Sequence, residues 1–233
     1  MTEGLVHNKN EFLANISTKL GREKSKQVVR PEWKYRPQLE ILKDAAPEEL
    51  AAVFRKNSIE KTTTVIETDA ANLAEALRET FSKYGGGRVV TTKDRRFSEY
   101  GLDSVLAENG AHVWAPEIGE ENIEIAKRAG IGVFFSDVSL AESGTVVQFN
   151  DKDIARSVSL LPLAYVAIVP RSTIVPRMTQ ASQAIHRSVE EGKEIPTCIN
   201  FISGPSNSAD IEMNIVIGVH GPIEAVHIVV TDR

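Results

Sequence analysis

Two polar stretches interrupt apolar runs in this chain and gather hydrogen-bonding groups between them. The first, Phe201 to Pro222, reads FISGPSNSADIEMNIVIGVHGP. Ser203, Gly204, Pro205 and Ser206 would place hydroxyls and backbone N–H groups beside a short helix over SNSADIEM, with Asn207 as its cap and Asp210 three residues on. The positive end of such a helix stabilises a carboxylate or phosphate. Asp210 and Glu212 oppose that unless they turn away or act on the ligand themselves. The alternative is a connection that caps itself with its own serines. His220 closes the next apolar run and is a candidate catalytic histidine, or else a strand-end histidine satisfied by the protein.

The second stretch is AESGTVVQF, Ala141 to Phe149. Glu142 stands at a tight turn with the hydroxyls of Ser143 and Thr145, and Gly144 lets backbone approach a ligand. A carboxylate held there can act as general base, general acid or nucleophile. A hairpin glycine beside a solvated glutamate is the plainer reading. Arg156 and Arg171 could clamp a carboxylate, or pair with surface acids.

Other chemistries lack their signatures. The glycines at 85–87 end a helix and precede a strand, the reverse of a dinucleotide fingerprint. The five histidines form no HExxH or close ligand pair, so no metal site is expected. There is no GxSxG elbow and no P-loop. Cys198 is the one cysteine, so neither an internal disulfide nor an iron–sulfur cluster can form within this sequence.

The 233 residues suffice for a full core, and the hydrophobic and charged fractions, 42% and 25%, are ordinary for a globular protein. A net charge of −5 offers no general attraction for nucleic acid or an anionic membrane. No apolar run approaches a membrane span, and the first residues do not read as a secretory signal. A cytoplasmic location follows as the expectation.

Residues 1–45 read as an amphipathic helix over 8–20, with Phe12, Ile16 and Leu20 on one face, followed by a basic extended arm. Trp33 and Tyr35, among Arg30, Lys34 and Arg36, either stack on a base or pin the arm to protein. Residues 46–233 read as an α/β domain with a mixed, largely parallel sheet flanked by helices. Strands are predicted at 64–66, 88–91, 112–114 and through GIGVFF. Helices are predicted from Pro47, over 69–84, 98–108 and 119–129, and again over 179–191. Between residues 138 and 170 only turn signals separate the β-rich runs, which suggests antiparallel strands or a hairpin beside the parallel sheet. Three last strands are expected at 198–202, 214–219 and 226–230. If these strands run the same way, polar residues at four strand ends, Ser136-Asp137, Arg171-Ser172, Ser203–Ser206 and His220-Gly221, crowd one rim.

SGPSNSADIE followed by GVHGP, together with AESGT and RSVSLLP, resembles the lactate utilization protein C family, whose members carry the LUD domain. The resemblance runs from about Ala46 to the C-terminus, and the N-terminal helix and arm also fit. Many relatives carry Arg-Thr where this chain has Asn207-Ser208, and Thr in place of Ser143, so any contact made by that arginine is lacking here. The resemblance implies a fold similar to the sugar-isomerase, CoA-transferase and formyltetrahydrofolate cyclo-ligase group. It also implies a role in oxidising L-lactate to pyruvate with two partner proteins, at least one of them iron–sulfur, this chain carrying no cofactor of its own. Alternatives on the same fold are a stand-alone acyl-CoA transferase or isomerase using Glu142, and a scaffold subunit without catalysis.

Overall fold

The structure, a computed structural model, describes residues 6–23, 29, 31–84, 88–211 and 214–233, the side chains of residues 210 and 211 excepted. The glycines at 85–87, Arg30 and Glu212 therefore lie outside the described residues, as does the Asp210 side chain. The chain forms two compact units, Met1–Pro37 and Gln38–Arg233. The first contains helix α1, Lys9–Lys19, whose Phe12, Ile16 and following Leu20 are all well exposed. The boundary falls before residue 45 because Leu42 and Ala45 already pack against the core of the second unit.

That second unit opens with α2, Pro47–Glu60, whose proline occupies the first turn, where no N–H partner is lost. Strand β1 (Thr64–Thr68) leads into α3 (Leu73–Tyr84), and Asp69 accepts hydrogen bonds from both the backbone and side-chain nitrogens of Asn72 before that helix. Next come β2 (Arg88–Thr91), α4 (Arg96–Glu99), α5 (Asp103–Glu108) and β3 (His112–Val113). The single helix expected over 98–108 is broken because Gly101 sits at φ +69°. Helix α6 (Glu121–Lys127) is shorter than the sequence suggests, since Ala129 already belongs to β4 (Ala129–Phe135). A hairpin follows, β5 (Val138–Leu140) and β6 (Thr145–Asn150), then α7 (Ser157–Leu160), β7 (Ala164–Pro170) and β8 (Ile174–Val175). Helix α8 (Met178–Glu190) precedes β9 (Cys198–Ile202), β10 (Asn207–Ile211), β11 (Asn214–Ile217) and β12 (Glu224–Val230).

Six strands form the central sheet in the order β1-β12-β7-β4-β2-β3, every pair parallel. β4 and β7 are buried along their whole length, as continuous apolar runs in a doubly covered parallel sheet must be. On one face Leu73, Leu77 and Phe81 of α3 and Val105 of α5 meet Val133, Val166 and Ile228. On the other, Phe54 of α2 meets Phe134, Tyr165 and Val229, beside Val146 and Ile174 of a second, four-stranded sheet ordered β8-β5-β6-β9. Ala181 of α8 packs with Leu140 and Val147 of that smaller sheet. The fold is α/β with a largely parallel central sheet.

The three expected last strands are present, β9 in the smaller sheet, β11 in a two-stranded hairpin and β12 in the central sheet. Two expectations need correction. In the segment 138–170 β5 and β6 form an antiparallel hairpin, but α7 intervenes and β7 joins the middle of the parallel sheet. The predicted helix at 207 is instead β10, paired antiparallel with β11 through Asn207–Ile217 and Ser208–Val216. Asn, Ser and Asp are weak inside helices, and the apolar β11 supplies ladder partners that a lone turn of helix cannot match.

The crossover into β7 depends on a close approach. A Cβ on Gly132 of β4 would lie 1.8 Å from the Val158 carbonyl oxygen of α7 and 2.9 Å from Pro162. Gly132→Ala is therefore expected to lower unfolding free energy by about 3 kcal/mol, at the upper end of overpacking costs. Urea denaturation checks this, and a loss well under about 1 kcal/mol would show that α7 yields freely.

Candidate functional site

Both polar stretches close on the same structural element, the carboxyl end of α2. Asn57 donates from its side-chain amide to the Ala141 and Glu142 carbonyls, each at 2.9 Å. Gly144, at φ +57°, lies so close to the helix that an added Cβ would stand 2.5 Å from the Ser58 nitrogen. Gly204, at φ +78°, is held in the same way, 2.6 Å from the Lys61 carbonyl oxygen by the same measure. Hydroxyls join the two loops: Ser143 Oγ is 2.7 Å from Thr145 Oγ1, which is 2.6 Å from Ser203 Oγ. Glu142, Ser143, Gly144, Thr145, Ser203 and Gly204 are thus brought together.

The electrostatics differ from the expected anion cradle. A helix carboxyl end presents partial negative charge, and no helix begins at residue 207. The donors of the loop are also engaged within the protein. The Ser206 N–H donates to the Pro222 carbonyl at 2.8 Å, and the Asn207 amide to the Pro205 carbonyl at 3.3 Å. His220 lies on an exposed turn and donates its backbone N–H to Ser206 Oγ. Glu142 forms an ion pair with Arg177, Nε to Oε2 2.8 Å, and both side chains reach solvent.

Nor do the four strand ends share a rim. Ser136-Asp137 and Arg171-Ser172 follow the adjacent parallel strands β4 and β7, at the carboxyl edge of the central sheet. Ser206 is tied to Pro222, and the next residue, Ile223, donates to the Leu163 carbonyl just ahead of β7. The SGPS loop and the His220 turn therefore border the amino edge. Strand direction decides this, and it is not written in any single residue. Arg171 pairs with Glu48 at 3.0 Å.

A buried polar chain beside these loops escaped sequence reasoning. His227 of β12 places Nδ1 3.2 Å from Ser58 Oγ and Nε2 3.1 Å from the Tyr165 hydroxyl. It also stacks on Phe54 with ring centroids 5.3 Å apart. Burial pushes the imidazole down to about 3 and the Tyr165 hydroxyl upward, so both are neutral near pH 7. With Ser58, Tyr165 and His227 each almost wholly enclosed, the chain fastens α2 to the sheet and has no open side for a substrate. The one signal available was a histidine at an otherwise apolar strand position in EAVHIVV.

At the carboxyl edge, Arg96 grips two carboxylates. Its guanidinium lies 2.6 Å from Asp94 and 2.8 Å from Asp137, donates to the Ser136 carbonyl at 3.3 Å, and sits 5.0 Å from the Phe135 ring centre. Asp137 also accepts the Phe149 N–H at 2.6 Å. Burial raises Asp137, against the lowering effect of Arg96. This ion pair ties the segment after β2 to the turn after β4. Connections from β2 run outward to β3, while those from β4 run the other way to β7 and β12, so this is the switch point where open α/β sheets receive ligands. One cavity of about 450 Å³ is lined by Asp137 and another of about 400 Å³ by Asp94. Among the described residues no group of acids, histidines and cysteine is arranged to hold a metal, and no helix is long and apolar enough to cross a membrane.

A family model described as the LUD domain matches residues 48–230. The chain belongs to the LUD domain family. It is 51% identical over 233 residues to "Lactate utilization protein C" of Macrococcus caseolyticus, and 50% identical over 240 aligned positions to the protein of that name from Bacillus subtilis, with full coverage of both chains in each case. A crystal structure of a DUF162 family protein from Deinococcus radiodurans superposes with a TM-score of 0.57 at 21% identity, covering 80% of this chain and 99% of that one, which supports the fold. The LUD match extends from α2 to the end of β12, so it takes in the helix end, both glycine loops and the buried histidine.

The neutral His227 has a pH signature. Folded, it takes up a proton only near pH 3; unfolded, near 6.5, so the unfolded chain binds more protons between those values. This contribution is complete above pH 6.5 and is lost progressively as pH falls toward 3. Wild type should lose about 1 kcal/mol more than His227→Gln between pH 6.5 and 5.5. Urea melts at the two pH values measure the difference, and equal losses would place the imidazole in contact with water.

Proposed function

We propose that this LUD-family chain is a component of a cytoplasmic lactate-utilisation system, acting with iron–sulfur partner proteins in the oxidation of L-lactate to pyruvate. The observation that carries the reading is identity of about half over the full length of relatives named lactate utilization protein C. A single thiol leaves this sequence unable to hold an iron–sulfur cluster, so electrons from the substrate would pass to clusters in the partners.

For the small carboxylate ligand the pair Glu142–Arg177 is the best-supported contact. Arg177 is largely but not wholly covered, and Glu142 is more exposed. An incoming carboxylate can take the place of Glu142 on the planar guanidinium, which binds such groups through paired hydrogen bonds. Glu142 would then stand beside the substrate hydroxyl, with Ser143 and Thr145 next to it.

The test is affinity purification of the tagged protein from cells grown on L-lactate, with iron determined in the eluate, alongside growth of strains carrying Glu142→Gln or Arg177→Gln. Iron-containing partners should coelute, and both variants should fail on lactate. Breaking a partly exposed pair costs under about 1 kcal/mol, so the loss of growth would not reflect unfolding. Iron-free eluates would overturn the assignment to an iron–sulfur system, and normal growth of both variants would remove Glu142–Arg177 from the account.

A further inference from the structure

The cavity on the β2–β3 side of the Arg96 ion pair has features that the lactate reading does not use. It holds about 400 Å³ between the carboxyl ends of β2 and β3 and the α4–α5 segment. Its polar lining is Ser98, whose hydroxyl donates to the Asp103 carboxylate at 2.8 Å, and Thr92, which is 1% exposed and whose Oγ1 has no hydrogen-bond partner among the described residues. A buried hydroxyl without a partner costs free energy. Neighbouring Thr91 differs, since its hydroxyl donates to the Val133 carbonyl at 3.1 Å. The apolar wall consists of Phe97, Leu106 and Val113. Lys93 and Arg95 stand at the mouth with side chains 57% and 88% exposed; Lys93 is 3.9 Å from Asp153, and Arg95 pairs with Glu99 on the surface. Asp94, by contrast, is almost fully covered and held by Arg96, so its charge is already balanced.

We infer that this cavity is a mononucleotide site. An aromatic base fits the apolar wall, a ribose hydroxyl supplies the partner that Thr92 lacks, and the phosphate meets Lys93 and Arg95 at the mouth. The volume lies within the range of small-molecule pockets, and lactate alone would leave most of it empty. The position one strand from the switch point is where a doubly wound sheet opens toward ligands. The inference does not depend on the assignment to lactate utilisation, because it rests on cavity residues and not on Glu142 or Arg177.

The experiment is isothermal titration of the full chain with adenosine monophosphate, adenosine and inorganic phosphate, for wild type and Thr92→Val. The monophosphate should bind saturably, at least ten-fold more tightly than either fragment, and Thr92→Val should weaken it about ten-fold. The same substitution removes an unsatisfied hydroxyl while keeping its shape, so the melting temperature of the free protein should stay the same or rise. Absence of monophosphate binding, phosphate binding equally well by itself, or unchanged affinity in Thr92→Val would each overturn the site. A lowered melting temperature for the free variant would overturn the role given to Thr92, because that hydroxyl would then be serving the fold.

Discussion

The close seating of two glycine loops on the end of α2 is the constraint on which much of this structure depends. Gly144 lies in the turn between β5 and β6 and Gly204 in the loop after β9, and both need left-handed backbone and room that no Cβ could share. Their contact with Asn57, Ser58 and Lys61 sets the smaller sheet against the central one. Ser58 carries the connection inward to His227 and Tyr165, so a helix end, a strand of the main sheet and two loops answer to one buried polar line. Such a line is costly unless each member is satisfied, and here hydroxyl and imidazole groups complement each other without a net charge.

The two edges of the central sheet have different characters. At the amino edge the polar loops are bonded to one another and to α2, and the Glu142–Arg177 pair there reaches solvent. At the carboxyl edge a partly buried arginine holds two acids, one lining each of two cavities. Rigid connections at one edge and unfilled space at the other are a common division in α/β proteins, where strand directions alone determine which end can be elaborated.

Much of the architecture was legible because it follows from period and punctuation. The four-residue spacing of Leu73, Leu77 and Phe81 matches the buried face of α3, and the unbroken apolar runs of β4 and β7 match strands covered on both sides. What could not be read was pairing. NSADI has the composition of a capped turn, yet its backbone finds a partner in β11, a tertiary fact with no local signature. The grouping of AESGT with Ser203 was legible as two polar loops of similar chemistry, while the helix end between them was not. Asp137 was legible as a polar strand end, but its pairing with Arg96 was not: Asp94 is a near neighbour in sequence, whereas Asp137 follows β4, which only the sheet places beside β2.

The strand order has a consequence for how the chain is made. β1, among the first elements of the domain to leave the ribosome, lies beside β12, the last, and β12 separates it from β7. Until β12 emerges, β1 has no neighbour in the sheet and the apolar flank of β7 stands uncovered. Contacts that join the two ends of a sequence form late and leave strand edges open to stray pairing in the meantime. The keystone of this sheet is thus its last strand to be made, and a nascent chain stalled before β12 would hold nearly all the other elements around an unclosed core.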